Sequence, residues 1–202
     1  MKSLMAKRLQ NAVRGVLQAY GTTYVKKFLW NSEFSRGRWD CLDATPGDCV
    51  YPCLEKYANS GSILDLGCGS GSTGNELSST AYHRLVGVDI SDVAVEKSRR
   101  RTEENRREDK NHYICSDVFN YVPTGQFDVI LFRDSIYYVP HGKIIAMLRR
   151  YSKHLKEGGV FIVRMWNGSD KYVKIVDAIE SNFTVVEKHV FDQPDAVVMV
   201  FR

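Results

Sequence analysis

No stretch of this chain approaches the ~20 consecutive apolar residues of a membrane-spanning helix, and its first residues lack the apolar central run of a secretory signal. The expectation is a protein of the cytoplasm with no membrane span. Cysteine is scarce and odd in number: Cys41, Cys49, Cys53, Cys68 and Cys115. A chain of 202 residues, 44% hydrophobic, can bury one proper core without covalent staples, so reduced thiols are expected. Cys49 and Cys53 form a C-x3-C pair, but no second cysteine pair stands nearby. Zinc sites usually couple such a pair to another, so no metal is expected.

Acid is missing from the beginning, where Lys2, Lys7, Arg8, Arg14, Lys26 and Lys27 all precede Glu33. The net charge is nevertheless only +4, because acids return later. From Arg99 to Lys110 they alternate with basic residues, as on a solvated helix face rather than a nucleic-acid patch. Internal repeats and low-complexity segments are absent too, and one domain over 1–202 is expected.

Leu4, Met5, Leu9, Val13, Val16 and Leu17 recur at helical spacing, which predicts an amphipathic helix over about 3–19 with a basic outer face, ended by Gly21. Residues from Tyr24 to Pro52 are aromatic and turn-rich and read as a short helix and a loop. From Gly61 the pattern alternates. Strands are predicted at about 62–66, 84–88, 112–116, 127–133 and 159–165, with helices near 47–59, 72–80, 91–109, 141–156 and 170–181. Gly158-Gly159 is read as closing the fourth of these helices. Short apolar runs such as Val129-Ile130-Leu131-Phe132 suit a parallel sheet buried on both faces. The last two strand-like runs, 183–191 and 196–202, are joined only by Asp192-Gln193-Pro194-Asp195, too short for a parallel crossover. They must pair as an antiparallel hairpin.

The stretch Ile63-Leu64-Asp65-Leu66-Gly67-Cys68-Gly69-Ser70-Gly71 runs an apolar strand into a glycine turn at a helix start. Glycines there let backbone approach a ligand closely. The literal string G-x-G-x-x-G occurs at Gly69 to Gly74 and would suggest a dinucleotide. Asp65 argues otherwise, since a carboxylate beside the loop repels a pyrophosphate and attracts a cation. Asp89 follows Gly67 by 22 residues, near the spacing at which an acid accepts from ribose hydroxyls. Asp117 closes the third strand, so three acids end three successive strands on one sheet edge. Any one of them alone reads equally well as a helix cap.

With these motifs the chain resembles the class I S-adenosylmethionine-dependent methyltransferases over about residues 50–202. Leu64 to Gly71 is similar to the family's first motif, and Asp89 and Asp117 to its ribose and adenine acids. Phe127 to Phe132 is similar to its fourth motif, and Leu155-Lys156-Glu157-Gly158-Gly159 to the turn before the fifth strand. The resemblance implies a doubly wound α/β fold: a mostly parallel seven-stranded sheet closed by the hairpin, with a Rossmann-like core over 47–202 and an N-terminal helical lid over 1–46. It implies S-adenosyl-L-methionine as cofactor and S-adenosyl-L-homocysteine as product. The cofactor would be held by Asp65, Gly67, Cys68 and Gly69, by Asp89 and Ile90, by Asp117 and Val118, and by Trp39, Phe132 and Arg133.

The acceptor should lie beside Phe132-Arg133-Asp134-Ser135-Ile136-Tyr137-Tyr138-Val139-Pro140-His141. Asp134, Tyr137, Tyr138 and His141 are the candidate catalytic groups, with Asp134 first as a general base, needed only if the acceptor binds protonated. Asp134 reads equally as a turn acid, and His141 as the start of a helix. No Asn/Asp-Pro-Pro-Tyr motif is present, which speaks against DNA. Trp30 to Trp39 is similar to the lid of small-molecule methyltransferases, where Trp30 or Trp39 would face the sulfonium and Arg38 the methionine carboxylate; the same aromatics would also serve as satellite core. The expected acceptor is a small molecule with an oxygen, nitrogen or sulfur nucleophile. The alternative is a protein or RNA methyltransferase that grips an acidic partner with its basic N-terminal helix. That helix also reads as a lid, a targeting segment or a lipid-surface helix. The oligomeric state is open.

Overall fold

The computed structural model describes residues 12–202 apart from residue 169. The part of the predicted first helix before residue 12 lies outside the described residues. Helix α1 (12–20) stops where Gly21 N donates to Leu17 O. Helix α2 (Thr23–Ser35) starts on a capping bond from Val25 N to the Thr22 hydroxyl. A 3₁₀ turn at Asp40–Leu42 and a loop lead to α3 (Tyr51–Ala58), which carries Pro52 in its first turn and ends on left-handed Asn59.

Then the alternation begins: β1 (Gly61–Leu66), α4 (Ser72–Glu76), β2 (Tyr82–Asp89), α5 (Asp92–Glu104), β3 (Asn111–Cys115) and β4 (Phe127–Arg133). Two 3₁₀ turns, Ile136–Tyr138 and His141–Lys143, precede α6 (Ile144–Ser152), β5 (Leu155–Trp166) and α7 (Asp170–Glu180). Strands β6 (Val185–Asp192) and β7 (Asp195–Phe201) finish the chain. The seven strands lie in the order β3-β2-β1-β4-β5-β7-β6. The first five are parallel, and β7 is antiparallel to both β5 and β6, as the short connection required.

Successive strand residues point to opposite faces, so one sheet feeds two cores. Leu64, Val86, Ile130, Phe132 and Phe161 pack on one face with Leu148 and Tyr151 of α6 and Ile179 of α7. Ile63, Leu85, Val129, Leu131 and Ile162 pack on the other with Leu54 of α3 and Val95 of α5. The middles of the central strands, such as Val129-Ile130-Leu131-Phe132, are apolar because neither face meets water. Among the described residues, no helix is long and apolar enough to cross a membrane.

Several predicted boundaries move. Helix α4 stops at Glu76 because Leu77 turns its fully buried side chain into the core. Gly158-Gly159 closes no helix: α6 already ends at Ser152, and the backbone from Leu155 onward pairs with β4. The register shift between Phe127 and Val129 absorbs the extra residues, and Gly158 takes its positive φ of 75° inside β5.

At the sheet edge opposite the glycine loop, Asp128 joins three strands. Its carboxylate accepts from Ser62 N at 2.6 Å, Ser62 Oγ at 2.8 Å and Lys156 Nζ at 2.7 Å. Partial burial works against its charge, but these donors outweigh that and hold the carboxyl below its ordinary value of 3.8. The folded-state value is lowered, so the stabilisation is present above the unfolded value and is lost as pH falls through the folded one. Asp128→Ala is expected to cost about 1–3 kcal/mol in urea unfolding at pH 7. The gap to wild type should shrink below the carboxylate range; a gap that stays constant from pH 7 to the acid transition would contradict the account.

Candidate functional site

Parallel strands deliver their carboxyl ends to one edge, and here β1, β2, β4 and β5 open there into a cavity of about 670 Å³. Its floor is the turn after β1. Gly67 has φ 79°, Gly69 54° and Gly71 77°, conformations that L side chains rarely adopt. At Gly67 the need is also spatial, because a Cβ there would fall 2.4 Å from Ser135 Cβ. Ser135 fastens the exit of β4 to this turn by donating to Leu66 O at 2.6 Å.

The three predicted acids reach the cavity, each with different partners. Asp65 is 1% exposed, and its Oδ1 accepts from no described residue. Burial pushes its carboxyl up to about 6. Asp89 accepts from Gly69 N at 3.0 Å and Ser91 N at 2.8 Å, and burial still raises it to about 6 against these donors. Asp117 accepts from Phe119 N at 3.0 Å with one oxygen, and with the other forms an ion pair with Lys26 of α2.

Beside them Ile90, Val118, Phe132, Cys68 and Trp39, which the resemblance assigned to the cofactor, line the wall. Arg133 is held on it by Thr45 Oγ1 at 2.6 Å, Asp48 Oδ2 at 2.8 Å and Tyr51 Oη at 3.2 Å. Asp48 also lies 3.8 Å from Arg164 Nε, whose guanidinium pairs with Asp134. Asp134, in the left-handed region at φ 52°, accepts from Tyr137 Oη at 2.9 Å with its other oxygen. Both oxygens of the proposed base are therefore engaged. Burial pushes the Tyr138 phenol up to about 12 and raises that of Tyr137 further, so both hydroxyls are donors at neutral pH.

Trp30 stands edge-on to Tyr138 at 4.7 Å and within 6.0 Å of Trp39, which roofs the cavity with aromatic rings. Arg38 is half exposed and reaches Glu33 at 3.7 Å instead of the cavity. His141 is also outside it. It is exposed, with its ring 3.3 Å from Lys174 O, and it borders a smaller depression of about 480 Å³ beside α1 and α7. Lys26, Asp48, Arg164 and Trp166 line the main cavity without having been expected. Of these, Arg164 and Trp166 stand at the end of β5, a position that a strand-end rule singles out.

Residues 63–159 match the family model described as a methyltransferase domain. A sterol 24-C-methyltransferase of Clavispora lusitaniae is 30% identical over 112 residues, 54% of this chain and 29% of that protein. The 27-O-demethylrifamycin SV methyltransferase of Amycolatopsis mediterranei is 23% identical over 138 residues, 65% of this chain and 50% of that protein. The chain thus spans half or less of the length of these relatives. The crystal structure of magnesium protoporphyrin IX methyltransferase from Synechocystis PCC 6803, with bound SAH, superposes with a TM-score of 0.70 at 16% identity. The match covers 89% of this chain and 99% of that one, and it shows the same fold.

The turn geometry can be checked directly. Gly67→Ala meets both an unfavourable φ and Ser135, whereas Gly158→Ala, with φ 75° and nothing within 4 Å, meets the backbone term alone. Gly158→Ala should lose about 1–2 kcal/mol and Gly67→Ala clearly more. Equal losses in denaturant unfolding would mean that Ser135 does not constrain the loop.

Proposed function

We propose that this chain, which carries an S-adenosylmethionine-dependent methyltransferase domain, moves a methyl group from that cofactor to a small-molecule acceptor bound under its N-terminal lid. The observation that carries the reading is Asp65: a buried carboxylate with an unsatisfied oxygen, against a turn where Cβ atoms do not fit. Such a group calls for a cation at close range, and a dinucleotide's pyrophosphate would be repelled. S-adenosylmethionine supplies, when bound, a methyl already activated by a sulfonium.

The protein's own residues then bind and align. Asp89 accepts from the ribose hydroxyls, Asp117 with Val118 and Ile90 borders the adenine, and Gly67, Cys68 and Gly69 bring backbone close. Asp65 takes the ammonium, and Arg133 is the guanidinium at that end, in place of Arg38. Trp30, Trp39 and Tyr138 exclude water and present π faces to positive charge. Phe132 borders the reacting end. Because the methyl is already activated, most of the catalysis comes from holding the acceptor in line.

With both oxygens occupied, Asp134 serves to orient Tyr137 and Arg164 rather than to remove a proton, and Tyr138 positions the acceptor as a donor. Sterol and rifamycin acceptors are named for two relatives, which supports a small molecule, while another relative is named for ribosomal protein L11. Among the described residues, three of the N-terminal basic groups favour the same choice over an acidic macromolecule: Arg14 pairs with Glu33, Lys26 with Asp117 and Lys27 with Asp92. A screen of labelled methyl transfer to small phenols, amines, thiols and sugars tests the reading; transfer only to protein or RNA, with steep salt dependence, would overturn it.

Three outcomes are expected. Asp89→Ala should weaken cofactor binding in calorimetry by more than about 1.5 kcal/mol; unchanged affinity would remove β2 from the site. Asp65 and Asp89 titrate near 6 in the free protein, while a cationic, hydroxyl-donating ligand favours their ionised forms. Affinity should therefore be flat above that pH and fall below it, with protons released on binding near pH 6. Affinity that rises on acidification would contradict the assignment. Finally, Asp134→Asn should lower kcat by roughly tenfold or less if the residue orients, against roughly 10²–10⁴ if it is the base.

A further inference from the structure

Among the described residues, one set of three potential metal ligands lies together, and it is away from the cavity. It comprises Cys53 on α3 with Glu187 and His189 on β6. One ligand atom from each lies within 4.8 Å of the others, and His189 Nε2 is 2.9 Å from Glu187 Oε2. The C-x3-C pair divides here. Cys53 is buried toward β6, while Cys49, ahead of the helix, neighbours Asp48 and Arg164 of the cavity network. The cysteine spacing therefore says nothing about this cluster, because its partners come from a strand more than 130 residues later.

We propose that Cys53, Glu187 and His189 form a zinc site that staples β6 to α3. A thiolate, an imidazole and a carboxylate together are the donor set of zinc rather than of calcium or magnesium, which take oxygen. Bonds of about 2.0–2.3 Å place ligand atoms about 3–4 Å apart, so rotations of side chains suffice to close the set. Three protein ligands leave the fourth tetrahedral position to water.

Glu187 now accepts from Lys56 and Tyr57 as well as from His189. Lys56 is 59% exposed on a flexible stem and can release into solvent as the ion enters. The ammonium and the metal therefore compete for one carboxylate. Strand β6 is an edge of the sheet, carrying exposed Val186 and Val190. A metal link to α3 would hold that edge against fraying and against pairing with another chain.

The test uses the full chain, stripped with a chelator, with Co²⁺ and then Zn²⁺ as probes. Cobalt should produce a thiolate charge-transfer band in the near ultraviolet with visible bands of a four-coordinate ion, both abolished by added zinc. Zinc should raise Tm in a concentration-dependent way. Cys53→Ser should abolish the charge-transfer band, and the edge-strand variants Glu187→Gln and His189→Ala should each weaken binding by roughly tenfold or more. Lys56→Ala should tighten it, which an adventitious surface metal would not show. The absence of a charge-transfer band in the wild type would overturn the proposal. So would its persistence in Cys53→Ser with loss in Cys41→Ser or Cys115→Ser, or indifference of the affinity to Glu187 and His189.

Discussion

The cavity depends on keeping carboxylates charged where water is excluded. Among the described residues, no cationic side chain comes within hydrogen-bonding range of Asp65 or Asp89, and burial raises both to about 6 from an ordinary 3.8. A raised folded-state value means that between these limits the folded protein holds more protons than the unfolded chain. From these two groups, stability therefore increases as pH falls from above 6 toward the unfolded value, the opposite of Asp128. At neutral pH, where both are ionised, they weaken the fold. The rest of the sheet, apolar on both faces, must offset that strain.

The neighbouring charges are treated differently. Arg133 and Arg164 stand on adjacent parallel strands in direct register and would repel each other. Asp48 lies between them, with Thr45, Tyr51 and Asp134 completing their bonds. Thr45 and Tyr51 in turn donate to Glu76, which Arg101 of α5 also meets. One chain of hydrogen bonds thus runs from α5 beneath the loop before α3 to the exit of β4. A loop that looks irregular in sequence is fixed by the charges it separates.

This explains what could be read in advance. The sheet, the hairpin and the strand-end acids follow from local patterns: apolar runs, a short connection, glycines beside an aspartate. Asp65, Asp89 and Asp117 were found because strand ends gather by topology. Lys26 and Asp48 were not, since their partners lie 91 and 85 residues away and nothing in their own neighbourhoods marks them. Arg38 and His141 were misplaced for a related reason. Proximity in sequence to Trp39 or Pro140 does not fix the direction of a side chain, and Glu33 and the Lys174 carbonyl claimed them instead.

Glu33 shows how the lid is tied to this electrostatic design. It is 2% exposed, yet it accepts from Arg14 at 2.9 Å and Gln18 at 3.2 Å on α1 and from Trp39 Nε1 at 2.9 Å. A buried carboxylate so fully bonded orients what surrounds it, and here that is two helices and an aromatic ring. Near its start α2 is anchored by Lys26 on Asp117, and close to Glu33 by Asn31, whose Oδ1 accepts from the hydroxyl of Ser91, the residue that caps α5. Helix α2 is thereby held by residues that follow β2 and β3 at the edge of the sheet where the cavity opens. A ligand that draws on Asp117 must compete with Lys26 for its Oδ2, so occupancy of this part of the cavity and the seating of α2 are coupled through one oxygen atom.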